Sequence, residues 1–261
     1  MKIAIVTGAS SGMGKEFAKK IDSLKLDAIW GIALGEEELN KTKSELSTPF
    51  ECFNLDLTHI ESFKIIDEKL KNEKPEVEML VNCSGFGKFG RYDEIPTDAL
   101  LNMIDLNCKA LVHLTQLILP YMPNKARIVQ FGSVSAFQPV PWISVYGATK
   151  AFVVSYSRAL NVELKPRKIS VTCVCPFWTK TAFFKRAVNA ENQVITHYSV
   201  MYDPQKVVNK AFKDSMNRKE LSIYGFVASA QAKLVKILPH KLVMSIWCKQ
   251  QKFKQKYENK K

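Results

Sequence analysis

Six short runs rich in apolar and β-branched residues recur along the chain, and stretches with helical spacing separate them. The runs are KIAIVTG (2–8), AIWGIAL (28–34), FECFNLDL (50–57), VEMLVNCSG (77–85), ARIVQFGS (126–133) and KISVTCVCP (168–176). Between them lie amphipathic segments such as EEELNKTKSEL and IESFKIIDEKLKN. Two longer helical segments, TDALLNMIDLNCKALVHLTQLILPYM and SVYGATKAFVVSYSRALNVEL, are apolar on more than one side. Strands alternating with helices at this spacing make βαβ units, and βαβ units make a parallel sheet. The expected fold is therefore α/β, a single doubly wound parallel sheet with helices on both faces. LSIYG (221–225) is a weakly signalled last strand. A chain of 261 residues buries enough surface for this as one domain.

The first strand runs into TGASSGMG, residues 7–14, with glycines at Gly8, Gly12 and Gly14. Glycines there permit a tight turn and let backbone N–H groups approach a phosphate at the positive end of the following helix. Ser10 and Ser11 add hydroxyl donors. A glycine-rich turn alone is a weak signal; its place between a first strand and its helix, at the head of a βαβ series, points to a dinucleotide.

A second pattern lies in SVYGATKAF, residues 144–152. Tyr146 and Lys150 are four apart, so on a helix they share a face. A lysine beside a phenol favours the phenolate, lowers the phenol's pKa and readies it for proton transfer near neutral pH. By itself this spacing is common and describes many surface helices.

Together these segments resemble the short-chain dehydrogenases/reductases along nearly the whole chain, with similarity to the hydroxysteroid and ketoacyl reductase subgroup. The glycine loop looks like that family's TGxxxGxG, and VNCSG (81–85) resembles its NNAG. The resemblance implies a Rossmann-like fold and an NAD(P)-dependent interconversion of a ketone and a secondary alcohol. It places the catalytic tetrad on Asn107, Ser133, Tyr146 and Lys150. Tyr146 is the implied acid/base, Ser133 orients the carbonyl, Lys150 lowers the phenol's pKa and bonds the nicotinamide ribose, and Asn107 holds a water that connects Lys150 to solvent. Cofactor contacts are implied at Gly8, Ser10, Ser11, Gly12, Met13, Gly14, Asp56, Leu57, Asn82, Ser84, Gly85, Tyr146, Lys150, Pro176, Thr179 and Thr181. An Asn inside a helix is disfavoured by propensity, which gives Asn107 some independent weight.

The chain departs from the pattern at three places. NNA is Asn82-Cys83-Ser84, and the Pro-Gly after the sixth strand is Pro176-Phe177. At the end of the second strand, NAD users have an acid for the ribose hydroxyls and NADP users an arginine for the 2′-phosphate. Here stand Ala33, Leu34, Gly35 and Glu36. Without an acid at Ala33 the cofactor expectation is NADP or NAD, leaning to NADP, with Lys15 a weak candidate for the phosphate. A non-catalytic dinucleotide-binding regulator or scaffold is the alternative, although such proteins usually lose the Tyr or the Lys.

Composition narrows the rest. The formal charge of +13 is concentrated in residues 231–261, whose nine lysines and one glutamate carry +8 and leave +5 for the remainder. No nucleic-acid motif accompanies it. The six scattered cysteines read as free thiols of a reducing cytoplasm, and the four histidines have no ligand spacing to them, so no metal is expected. No signal peptide or spanning segment is expected, and the location expected is cytoplasmic. Aromatics crowd 177–202, among them Phe177, Trp178, Phe183, Phe184, Tyr198 and Tyr202. They read either as a lid over a bulky apolar ketone or alcohol, of steroid or acyl type, or as plain core or subunit contact. The domain expectation is a dinucleotide-binding catalytic unit over 1–227 and a basic amphipathic extension over 228–261, divided by Pro239. Residues 228–248 are expected to dock on the body and shape the pocket, with 253–261 dispensable; peripheral membrane contact is the less favoured reading. The long apolar helices imply a homodimer or homotetramer.

Overall fold

The structure is a computed structural model that describes residues 1–188 and 194–253. Seven strands form one sheet in the order β3-β2-β1-β4-β5-β6-β7, and every pairing is parallel. They are β1 (Lys2–Thr7), β2 (Ala28–Ala33), β3 (Phe50–Asn54), β4 (Glu76–Asn82), β5 (Arg127–Phe131), β6 (Ser170–Val174) and β7 (Leu221–Ser222). The strand order reverses between β1 and β4, so a crevice opens beyond their carboxyl ends, where open α/β sheets take their ligands.

Both faces of the sheet are covered, which is why its strands read as unbroken apolar runs. Ile3 and Ile5 of β1 pack in one core with Leu70 of α3 (Ile60–Glu73) and Leu114 and Ile118 of α5 (Leu111–Ile118). Ala4 and Val6, pointing the other way, join Phe17 and Ile21 of α1 (Gly12–Asp22) and Val208 and Ala211 of α8 (Pro204–Met216). Alternate residues of one strand thus belong to two different cores.

Three elements differ from the sequence expectation. The fourth helical segment is α4 (Thr97–Ile104), a π-helical turn (Asp105–Ala110) and α5 in succession, not an uninterrupted α-helix. Such turns carry an extra residue per turn and cluster at functional sites; Asn107 lies inside this one. β3 stops at Asn54, leaving Asp56 in a loop, and β7 is a two-residue edge strand with two registered pairs. The long helix α6 (Ser144–Glu163) is as expected, and α2 (Glu36–Lys43) fills the turn after β2.

Beyond β6 come α7 (Phe183–Ala187), α8, α9 (Phe226–Leu234) and α10 (His240–Gln250), the last begun by Pro239. A boundary at 227/228 therefore cuts the first turn of α9. The C-terminal helices share a cluster with the lid: Trp247 and Phe253 pack with Phe89, Val140, Ile143, Val194 and Ile195. Phe253 is buried and stacks on Trp142 with ring centroids 3.7 Å apart, so it is no dispensable end. The lid segment 189–193 and the terminal 254–261 lie outside the described residues.

Candidate active site

The glycine loop does what its spacing requires. Gly8 has φ +67°, and a Cβ on Gly14 would stand 2.1 Å from the Gly8 carbonyl oxygen, so only glycine lets α1 approach β1 this closely. Ser11, at the start of α1, makes no capping hydrogen bond, and no acid occupies the first turn. The helix thus begins with N–H donors free to meet an anion.

Beside this loop runs a groove of about 340 Å³. Gly8, Ser10, Ser11, Gly12, Met13 and Gly14 form one wall, and Asp56, Leu57, Ser84, Gly85 and Thr181 also line the groove, whereas Tyr146, Lys150, Pro176 and Thr179 of the expected set do not. Asn82 does not line it. Its amide nitrogen donates to Thr115 Oγ1 (3.0 Å) and Gln130 Oε1 (3.1 Å), tying β4 to β5 and α5 from behind. The replaced residues next to it are held by their backbones: Cys83 N and Ser84 N both donate to Thr7 Oγ1, at 3.0 and 2.9 Å. Lys15 is no phosphate partner either, because its ammonium lies 2.6 Å from Glu45 Oε1.

A second cavity of about 110 Å³ adjoins the groove, and Tyr146, Ser133, Pro176, Thr179 and Phe177 line it; Met13, Thr181 and Phe183 face both. Burial pushes the Tyr146 phenol up to about 12, while the nearby Ser133 hydroxyl pulls the other way. Lys150 is buried, and its ammonium donates to the Phe131 carbonyl oxygen at 2.7 Å, with its pKa lowered by desolvation. The ammonium stands 5.7 Å from the Tyr146 ring centroid. The expectation that Lys150 lowers the phenol's pKa is therefore not met in this state: desolvation dominates, and the lysine is engaged elsewhere.

Asn107 acts as a clamp. Its Oδ1 accepts from Phe86 N (3.1 Å), and its Nδ2 donates to Phe86 O (2.9 Å) and Thr149 Oγ1 (3.1 Å). Both amide hydrogens are thus used to fix the loop after β4 against α6. The π-helical turn supplies the local widening that lets this side chain reach inward.

The profile of the short chain dehydrogenase family matches residues 2–192. This chain belongs to that family. It is an oxidoreductase, as its relatives' names are. An uncharacterized oxidoreductase of Staphylococcus epidermidis is 32% identical over 180 residues, 67% of this chain and 76% of that protein. The very-long-chain 3-oxoacyl-CoA reductase-B of Danio rerio is 31% identical over 196 residues, 70% of this chain and 61% of its own length. Among solved structures, a short-chain dehydrogenase from Sphingobium yanoikuyae in complex with NADPH superposes with TM-score 0.76 at 25% identity. That match covers 92% of this chain and 97% of the other.

Several site residues of this short-chain dehydrogenase carry no local sequence signal. Among the described residues Arg186 is the one cation lining the groove, and its guanidinium lies 4.1 Å from the Phe86 ring centroid. Ser135 lines the reaction cavity with its Oγ buried and without a hydrogen-bond partner among the described residues. Trp247 and Gln231 reach the same cavity from α10 and α9. Ser133 and Ser135 are two residues apart, so a serine at the second position was readable; the others are brought in by tertiary packing alone.

Proposed function

We propose that this protein reduces a ketone, or oxidises the matching secondary alcohol, on a substrate with a long apolar tail, using Tyr146 as the proton donor and acceptor. The observation that carries the reading is the phenol itself: together with Ser133 it lines a cavity that adjoins the dinucleotide groove. The groove fits a nicotinamide dinucleotide, since it joins uncapped helix donors, a glycine cradle and Arg186 for the pyrophosphate to the loop of Asp56 for the adenine end. That group, when bound, supplies or takes the hydride. The chain's residues do the rest: Ser133 donates to the substrate oxygen, Tyr146 passes the proton, Asn107 fixes the loop carrying Phe86, and Lys150 holds the positive charge behind the site. The unpartnered Ser135 hydroxyl offers a second contact to the oxygen-bearing end of the substrate.

Volume decides where the tail goes. A cavity of about 110 Å³ is too small for a whole drug-sized ligand, whose pockets span roughly 300–1,000 Å³. Next to it lies an apolar groove of about 490 Å³ between α9 and α10, walled by Leu234, Val235, Leu238, Val243 and Ile246. The two share Gln138, Gln231 and Trp247, so they adjoin, and a chain anchored at Tyr146 that passes between the two glutamines and Trp247 reaches the apolar walls beyond. The likeness to a very-long-chain 3-oxoacyl-CoA reductase supports an acyl tail over a steroid. In a series of ketones of increasing chain length, KM should fall steadily. Leu238→Trp, which fills the groove, should remove that gain by about tenfold or more for the longest members and leave the shortest unchanged. A flat series in the wild type would contradict the assignment.

For the cofactor we infer use of both forms with a modest preference for NADPH. Ala33 and Leu34 line the groove where an acid would repel a 2′-phosphate, but no arginine attracts it, and Glu36, Glu37 and Glu38 follow at once. Titration should give a tighter Kd for NADPH. Leu34→Arg should widen the gap by about tenfold or more through charge-assisted hydrogen bonds. A clear NADH preference that survives Leu34→Arg would refute this placement of the ribose.

Assembly is read from the same helices that suggested it. Leu101 and Ile104 of α4 and Phe152 and Val162 of α6 are exposed, a surface that a homodimer or homotetramer would cover.

A further inference from the structure

The C-terminal helices were expected to turn their apolar residues onto the body. Some of them do so: Val235, Val243 and Trp247 are buried. The others face out, with Phe226 88% and Ile237 79% exposed and Leu234, Leu242 and Ile246 about half exposed. Leu242 and Ile246 are one turn apart on α10, and Phe226 and Leu234 are two turns apart on α9, so each pair shares a face of its helix. Ile237 tips the turn between the two helices.

Exposed lysines surround these residues: Lys233, Lys241, Lys249 and Lys252, while the ammonium of Lys236 turns back over the Phe137 ring, 4.6 Å from its centroid. None of them is paired with a carboxylate among the described residues. The reason is in the sequence, which has no Asp or Glu between Glu220 and Glu258. An apolar ridge framed only by cations complements one kind of surface well, an apolar layer faced with anions. It suits a second copy of itself poorly, since a two-fold pairing of this face would set lysines against lysines.

We propose that the face formed by α9, α10 and the turn at Ile237 docks on an anionic lipid surface. The helices lie on the bilayer and do not enter it as spans. They have 9 and 11 residues, against the roughly 20 that a spanning helix needs, and no described helix is long and apolar enough to cross. Phe226, Ile237, Leu242 and Ile246 sink to the acyl boundary, and the lysines stay at the phosphate level. The site gains an entrance by this arrangement. Leu234 and Ile246, half exposed on the docking face, are also walls of the α9–α10 groove, so the groove's mouth opens toward the lipid. An apolar substrate could then pass from the bilayer to Tyr146 without crossing water. The docking does not depend on the substrate assigned above; only this route does.

Flotation of the full chain with phosphatidylcholine vesicles, with and without phosphatidylglycerol, tests the proposal. The protein should float with the anionic vesicles, less so as salt rises, and stay behind with the neutral ones. Lys233→Glu combined with Lys241→Glu should lower the partition coefficient by on the order of 30-fold or more. Ile237→Asp combined with Leu242→Asp should do the same, while turnover of a short, water-soluble ketone is unchanged and shows that each variant is folded. Failure of the wild type to float, or equal flotation with neutral vesicles, would overturn the proposal. So would light scattering in which Ile237→Asp with Leu242→Asp splits an oligomer, since the face would then belong to a second copy. Anionic flotation by a protein that turns over no ketone would support the docking and sink the functional reading instead.

Discussion

Replacing Tyr146 by Phe is expected to lower turnover by about 10²- to 10⁴-fold, the range of a lost general acid, while cofactor affinity stays within about twofold. The ring remains, so its edge contacts with Phe89 (6.5 Å) and Phe183 (5.5 Å) are kept and the cavity does not collapse. Only the hydroxyl with its transferable proton is removed. Steady-state rates and a separate cofactor titration check both halves. Near-wild-type turnover in the Phe variant would move the proton transfer to another group.

The direction of the phenol's shift adds a pH test. A pKa raised to about 12 keeps Tyr146 protonated through the neutral range. Reduction starts from the phenol and should be flat between about pH 6 and pH 9, whereas oxidation needs the phenolate and should rise with pH over the same span. If oxidation were instead flat and reduction fell as pH rose, the phenol would already be ionised in the working complex. That would mean the Lys150 ammonium, now on the Phe131 carbonyl, approaches the phenol once the site is filled.

The sheet was legible because both of its faces are covered. The inner strands β1, β2, β5 and β6 became mostly apolar runs that no amphipathic helix could imitate, while the edge strand β7 left only a weak trace, and the glycine loop and the Tyr146–Lys150 spacing are local patterns that survive in one dimension. The π-helical turn was not legible, because Asp105–Ala110 differs from an α-helix by one extra residue per turn, which leaves no compositional mark. Nor were Arg186 and Trp247, which reach the site by tertiary packing from segments 40 and 101 residues beyond Tyr146. Lys150 shows a different limit. Its position on the Tyr146 face was readable, but its long flexible side chain chose the Phe131 carbonyl, and no sequence pattern encodes that choice.

Ending the chain after Leu238, so that α10 is lost, is expected to lower kcat/KM for long-chain ketones by about 10²-fold and to shift the cofactor Kd by less than about threefold. The asymmetry follows from where α10 is anchored. Trp247 Nε1 donates to the Pro141 carbonyl at 3.2 Å, fixing the loop that leads into α6. Gln251, fully buried, accepts from Thr196 N and His197 N at 3.0 Å each and donates back to His197 O at 3.0 Å. One side chain thus satisfies three backbone groups of the lid. Thr196 and His197 are exposed, so water can take over these groups, and each lost bond costs about 0.5–1.5 kcal/mol, which together loosens this part of the segment once Gln251 is gone. The dinucleotide groove has no lining residue from α9 or α10, which is why cofactor affinity is spared. Because the truncated chain could fail to fold, Gln251→Ala provides a milder version: the same direction on kcat/KM, about tenfold, with thermal unfolding still cooperative. If both variants keep wild-type kcat/KM on long and short ketones alike, the C-terminal helices have no part in the substrate site. The groove between α9 and α10 would then have to be explained by something other than a tail.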